Sequence, residues 1–163
     1  MASWWADKTR QVGRHLRARV TPAERESLVA WLTPAQLATF DAMHVADRRH
    51  GLDVVAHLRA DRVADDEVLL AGLLHDCAKG DTGVGPRIAF SLGQRYGAWA
   101  WRAAGLLPGW TGAIERLRVH ADASARAAAA AGCSPRTVDL IRHQDAPVDP
   151  LMGELLRLAD EAS

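Results

Sequence analysis

The chain holds few of the residues that announce a function on their own. Its 163 residues include two cysteines, Cys77 and Cys133, with no CxxC spacing. That excludes a disulfide framework and a thiolate zinc knuckle, and a reduced, cytoplasmic setting is the expectation. Lysine is nearly absent: Lys8 and Lys79 stand alone, and arginine supplies the remaining basic charge. Twenty basic and twenty acidic residues leave a formal net charge of zero. Neither nucleic acid nor an anionic membrane is therefore expected as the main partner. No apolar run approaches the length of a membrane span, and the opening MASWWADKTRQ lacks the apolar core of a signal peptide. Gly80, Gly83 and Gly85 are not followed by GK[ST], so they form no phosphate loop.

Alternating apolar and polar residues are missing too, and with them any clear strand. Apolar positions recur at three and four, the helical period. The expected fold is all-α, a single-domain helical bundle, with residues 1–39 as an N-terminal helical extension on a core of 40–163. Helix starts are well marked. A helix is expected over 3–20. Thr21-Pro22 and Thr33-Pro34 each pair a capping hydroxyl with proline in the first turn. Asp47 is the expected cap of a helix running to about Ala60, and Asp65 or Asp66 caps the next, to about Lys79. Pro86 starts a helix reaching about Ala104. Thr111 caps another, and an alanine-rich run follows to Ala131. Ser134-Pro135 and Asp149-Pro150 open the last two. Residues 86–110 carry aromatics on several faces, which suits core packing, a lid, a homo-oligomer contact or a peripheral surface.

The most informative stretch is Leu69–Lys79, LLAGLLHDCAK. An apolar helix ends in His75-Asp76, and a buried carboxylate needs a cation or several hydrogen bonds. His50, His75, Asp76, His120, His143 and Asp160 each fall near an apolar face of one of five helices. Imidazole and carboxylate together suit one or two divalent ions, with Fe, Mn, Zn, Co and Ni not distinguished. His15, His44 and His57 fit surface or core positions, and Cys77 fits the core. Lys79, Arg48, Arg49 and Arg142 lie near these residues in sequence and offer charge to a phosphate.

DRRHGLDVVAHLR, DDEVLLAGLLHDCAKG, HADASARAAAAAG, LIRHQDAP and LLRLADEAS, in that order, resemble the HD-domain superfamily of metal-dependent phosphohydrolases over about residues 40–162. The resemblance implies His50 as the first metal histidine, His75 and Asp76 as the namesake pair and Asp160 as the terminal ligand. It implies His120 and His143 as the further ligands of two-metal members, with Asp76 bridging. It also implies hydrolysis of a small phosphate ester or nucleotide, with Asp76 and Lys79 at the chemistry and Lys79, Arg49 and Arg142 on the phosphate. The cyclic-dinucleotide branch of that superfamily carries a Gly-Tyr-Pro signature, which this chain lacks. Two alternatives share the ligand set: a diiron oxygenase of the same superfamily, and a degenerate domain serving as a binding or regulatory module.

Overall fold

The computed structural model describes residues 18–97 and 99–163; the helix expected over 3–20 falls almost wholly outside them, as does His15. The described chain is all-α. Its helices are α1 (Pro22–Val29), α2 (Pro34–Ala42), α3 (Val45–Ala60), α4 (Asp66–Leu74) and α5 (Val84–Tyr96), followed by α6 (Trp99–Ala104), α7 (Trp110–Ala130), α8 (Pro135–Arg142) and α9 (Met152–Ala162). No strand occurs among the described residues, and no helix there is long and apolar enough to cross a membrane.

Local chemistry explains most of the boundaries. Thr21 and Thr33 each close a full capping box, with Glu24 and Gln36 reaching back to the cap backbone. Asp65 caps α4 and Ser134 caps α8. Asp149 accepts hydrogen bonds from the Leu151 and Met152 amides at the start of α9.

Several boundaries differ from the sequence expectation. His44, not Asp47, caps α3: its Nδ1 accepts the Ala46 amide, 3.2 Å away. Asp47 is instead buried and paired with Arg87, forty residues on. The helix expected from Pro86 to Ala104 is two helices, broken at Gly97, where φ is 104°. The helix starting near Thr111 runs unbroken to Ala130 and begins one residue earlier, after Gly109; Thr111 donates to the Gly105 carbonyl and does not cap.

One core joins α1–α4 and α7–α9. Val54, Leu58, Val68, Leu73, Leu74, Ile141 and Leu156 are almost wholly buried, and Leu28, Leu32 and Phe40 of the early helices pack into the same cluster. Full burial of an aliphatic side chain contributes roughly 1.5–3 kcal/mol, so α4, apolar on nearly every face, lies at the centre. It packs against α3, α8 and α9. Gly51 makes its crossing with α3 close. A Cβ there would lie 2.5 Å from the Leu73 carbonyl oxygen. The helix axes can approach this far only with glycine at 51, and His50 is its neighbour in sequence.

Candidate metal centre

The α4 helix stops at Leu74, and His75 is its C-cap. Residues 75–78 form tight turns in place of the extra helical turn expected to Lys79, held by Cys77 N–H to Leu74 O and Lys79 N–H to Asp76 O, both 3.0 Å. His75 Nδ1 lies 2.9 Å from the Gly72 carbonyl. A carbonyl only accepts, so Nδ1 carries the proton and donates it. The lone pair of a neutral imidazole then sits on Nε2. Two further bonds fix the turn: Ala78 N–H donates to Ser124 Oγ at 3.1 Å, and Gln144 Nε2 donates to the His75 carbonyl at 3.4 Å.

His50 comes to this point from α3 and Asp160 from α9. The His50 and His75 rings meet edge to face, with centroids 5.1 Å apart. His50 Nε2 lies 2.6 Å from Asp160 Oδ1, and His75 Nε2 lies 3.3 Å from the same oxygen. One ligand atom from each of the three residues falls within 4.8 Å of the other two, a group that could hold a metal ion. His75 is buried, while His50 and Asp160 are half-buried. The site therefore opens towards solvent on the Asp160 side.

Asp76 faces the second side of His75. Its Oδ2 is 3.5 Å from His75 Nε2 and 2.5 Å from Lys79 Nζ; its Oδ1 is 3.5 Å from His120 Nε2. His120 repeats the His75 arrangement, with Nδ1 2.7 Å from the Leu117 carbonyl, so its Nε2 lone pair points at Asp76. Hydrogen bonding accounts for Asp160. It does not account for His75 Nε2 and Asp76 Oδ1, which are both buried with no hydrogen-bond partner. Leaving such atoms unmatched costs about 1–3 kcal/mol each, more when charged. Two acceptor atoms facing inward beside a histidine–carboxylate group are what a bound cation would satisfy.

The electrostatics agree. Burial pushes the His75 pKa down, but the Asp76 and Asp160 carboxylates outweigh it and raise the value to about 9. Burial raises the Asp76 carboxyl, yet the positive charges of His75 and Lys79, with His120 and His50, carry it well below the usual carboxylate range. Asp160 is likewise held low against its burial, by its bonds to His50 and His75. Without a metal, protons on histidine stand where positive charge is wanted. Burial pushes the Cys77 thiol up to about 11, which keeps it an unreactive core group.

The remaining expected site residues have ion-pair partners of their own. His143 Nε2 is 3.6 Å from Asp139 Oδ1 near the end of α8 and is half-exposed; like Asp76 and His120, it is not one of the three residues of the group that could hold a metal ion. Arg49 is held by Glu24 at 2.5 Å and Asp53 at 2.9 Å. Arg142 lies near Asp122 and Asp139. Arg87, near the start of α5, reaches back to the loop that follows Lys79. Its guanidinium pairs both ends with Asp47, at 2.7 and 2.9 Å, and bonds Thr82 Oγ1 and the Gly80 carbonyl. Ser124 and Gln144 were also not singled out by sequence. Ser124 left one signal, a hydroxyl inside an alanine-rich run.

The chain matches no family model, no curated protein and no solved structure.

Proposed function

We propose that the chain is a metal-dependent phosphohydrolase acting on a small phosphate ester or nucleotide. The observation that carries this reading is the meeting of His50, His75 and Asp160 beside Asp76, with buried His75 Nε2 and Asp76 Oδ1 unmatched. The resemblance of the HDCAK segment and its companions to HD-domain hydrolases supports it. His50, His75 and Asp160 would hold one divalent ion, and Asp76 with His120 would serve a second. Such an ion lowers the pKa of bound water and offsets charge developing on phosphate oxygens.

The protein groups divide the other tasks. The Gly72 carbonyl keeps the His75 proton on Nδ1 and its lone pair inward. Lys79, half-buried and paired with Asp76, would meet a phosphate oxygen. Arg87 cannot do so while both its ends are engaged by Asp47; it holds the Gly80–Thr82 loop that follows Lys79.

The test is phosphate release from a panel of phosphomonoesters and nucleotides by protein stripped with chelator and reloaded with Mn, Fe, Co, Ni or Zn. Turnover that returns with metal and is lost in His75→Ala supports the reading. Metal binding without release from any ester in the panel would remove it.

One observation favours the binding-module reading. Asp76 is paired with Lys79 and Asp160 with His50, so most of the buried charge is matched within the chain. A domain using that arrangement would keep its melting temperature after chelation. The diiron alternative requires iron in protein as purified and oxygen consumption with a substrate.

A further inference from the structure

Asp47 is a buried carboxylate outside the metal group. It lies in the first turn of α3, three residues before His50. Its partner, Arg87, closes a two-ended pair: Nη1 donates to Oδ1 at 2.7 Å and Nη2 to Oδ2 at 2.9 Å. The same guanidinium donates from Nε to Thr82 Oγ1 at 2.9 Å and from Nη2 to the Gly80 carbonyl at 3.3 Å. A buried ion pair adds little net stability, because desolvation offsets the attraction. A two-ended pair does add geometry, since it fixes the guanidinium plane. Here the fixed plane sets the course of the chain just after Lys79. Gly80 turns it with φ of 65°, and Thr82 is buried between the exposed Asp81 and Gly83. On the other side, the Lys79 N–H donates to the Asp76 carbonyl at 3.0 Å. The backbone is therefore held on both sides of Lys79, whose Nζ lies 2.5 Å from Asp76 Oδ2. The α5 helix packs chiefly against α6 and α7, and Arg87 carries its first turn across to α3.

We propose that Asp47 and Arg87 are positioning residues for Lys79. Together they hold the loop that follows it against the helix that carries His50, so that the Lys79 ammonium is presented to phosphate at the metal centre. The proposal rests on the reading of Lys79 as a phosphate-binding group. Neither Asp47 nor Arg87 meets the substrate, since each spends its polar atoms on the other or on the loop. Lysine is a flexible four-carbon stem with no fork of its own to orient it. Its aim therefore depends on where the backbone holds it, and Arg87 is the side chain that fixes the residue next in line.

The chain has two lysines, Lys8 and Lys79, so acylation of the full chain with acetic anhydride, read by peptide mass spectrometry, reports Lys79 against Lys8 as an internal reference. Arg87→Met should raise Lys79 labelling about fivefold or more, because the loop is then released. That change alone strands the buried Asp47, so the deciding variant combines Asp47→Leu with Arg87→Met. Apolar replacement of both partners of a buried pair commonly returns stability, which denaturant melts measure, whereas Lys79 labelling should stay raised. Arg136→Ala, which breaks the ion pairs to Asp65 and Glu67, should leave labelling unchanged. In metal-loaded protein the double variant should lower the affinity for inorganic phosphate about tenfold, as Lys79→Met should, and the three substitutions together should add little more. Lys79 labelling unchanged in Arg87→Met overturns the proposal. Labelling that returns to the wild-type level when the double variant regains stability also overturns it and leaves the pair a purely structural role. Wild-type protein that binds metal but no phosphate counts against the hydrolase reading instead, and raised labelling in the double variant would still support the positioning of Lys79.

Discussion

Around His75 the chain buries charge, and around Trp99 it exposes apolar surface. The junction of α3, α4 and α9 sits under an aliphatic core whose members are almost wholly buried, yet it encloses an aspartate, a lysine and two histidines. The stretch from α6 to the turn before α7 does the reverse, leaving Trp99 and Leu106 largely in solvent. Buried charge and exposed apolar surface both cost stability in the isolated chain. The comparison teaches that the two places differ in kind: the first could hold a cation, and the second leaves apolar side chains in solvent.

The largest expected effect is at Asp76. Asp76→Ala should weaken metal binding at least about 100-fold and abolish turnover. It should also destabilise the metal-free protein by about 3–5 kcal/mol, because Lys79 and His75 lose their buried counter-charge. Titration calorimetry and denaturant melts measure the two separately. Unchanged metal affinity would break the assignment of Asp76 to the centre.

A packing change should reach the same centre without touching a ligand. Gly51→Ala puts a Cβ 2.5 Å from the Leu73 carbonyl oxygen, and backbone cannot yield as a side chain can. The α3 helix must shift, carrying His50 from His75. About 1–3 kcal/mol of stability should go, with metal affinity falling about tenfold. A loss of stability with affinity intact would show that the ligands re-form despite the shift.

The metal-free protein should also lose stability as pH rises. The His75 pKa is raised from 6.5 to about 9, so its contribution is fully present below pH 6.5 and is lost as pH rises through about 9. The change is about 3 kcal/mol, read as a falling melting temperature across that window. Metal-loaded protein should not follow, because a cation then takes the proton's place and is held more tightly as pH rises.

The smallest effects distinguish the two regions most simply. Leu74→Ala, in the core beside the centre, should cost about 2–5 kcal/mol, whereas Leu106→Ala should cost under about 0.5 kcal/mol. His143→Ala should leave affinity at the first metal position within about twofold. A large effect of Leu106→Ala on stability would mean that the α6–α7 turn is covered within the molecule.

Much of this was legible in the sequence, for identifiable reasons. The boxes at Thr21 and Thr33 and the caps at Asp65 and Ser134 are local, a hydroxyl or carboxylate answering an amide two or three residues on. Asp47 failed as a cap because its partner, Arg87, is forty residues away, and no local rule sees that. Gly97 was read as part of a helix because the pattern on either side was apolar. Helix ends and apolar faces supply candidate ligands, but the grouping of His50, His75 and Asp160 is what the resemblance implies, not what spacing gives. What holds the ring nitrogens could not be anticipated: the Gly72 and Leu117 carbonyls that fix His75 and His120 carry no sequence signal. His143 fits the expected spacing, but its ring lies beside Asp139.

The most direct test is a crystal of the protein grown with manganese, measured with anomalous scattering. The account predicts a peak among His50 Nε2, His75 Nε2 and an Asp160 oxygen, with the His50–Asp160 hydrogen bond replaced by coordination and His75 Nδ1 still on the Gly72 carbonyl. A map with no peak there, and with His50 and Asp160 still 2.6 Å apart, would contradict it.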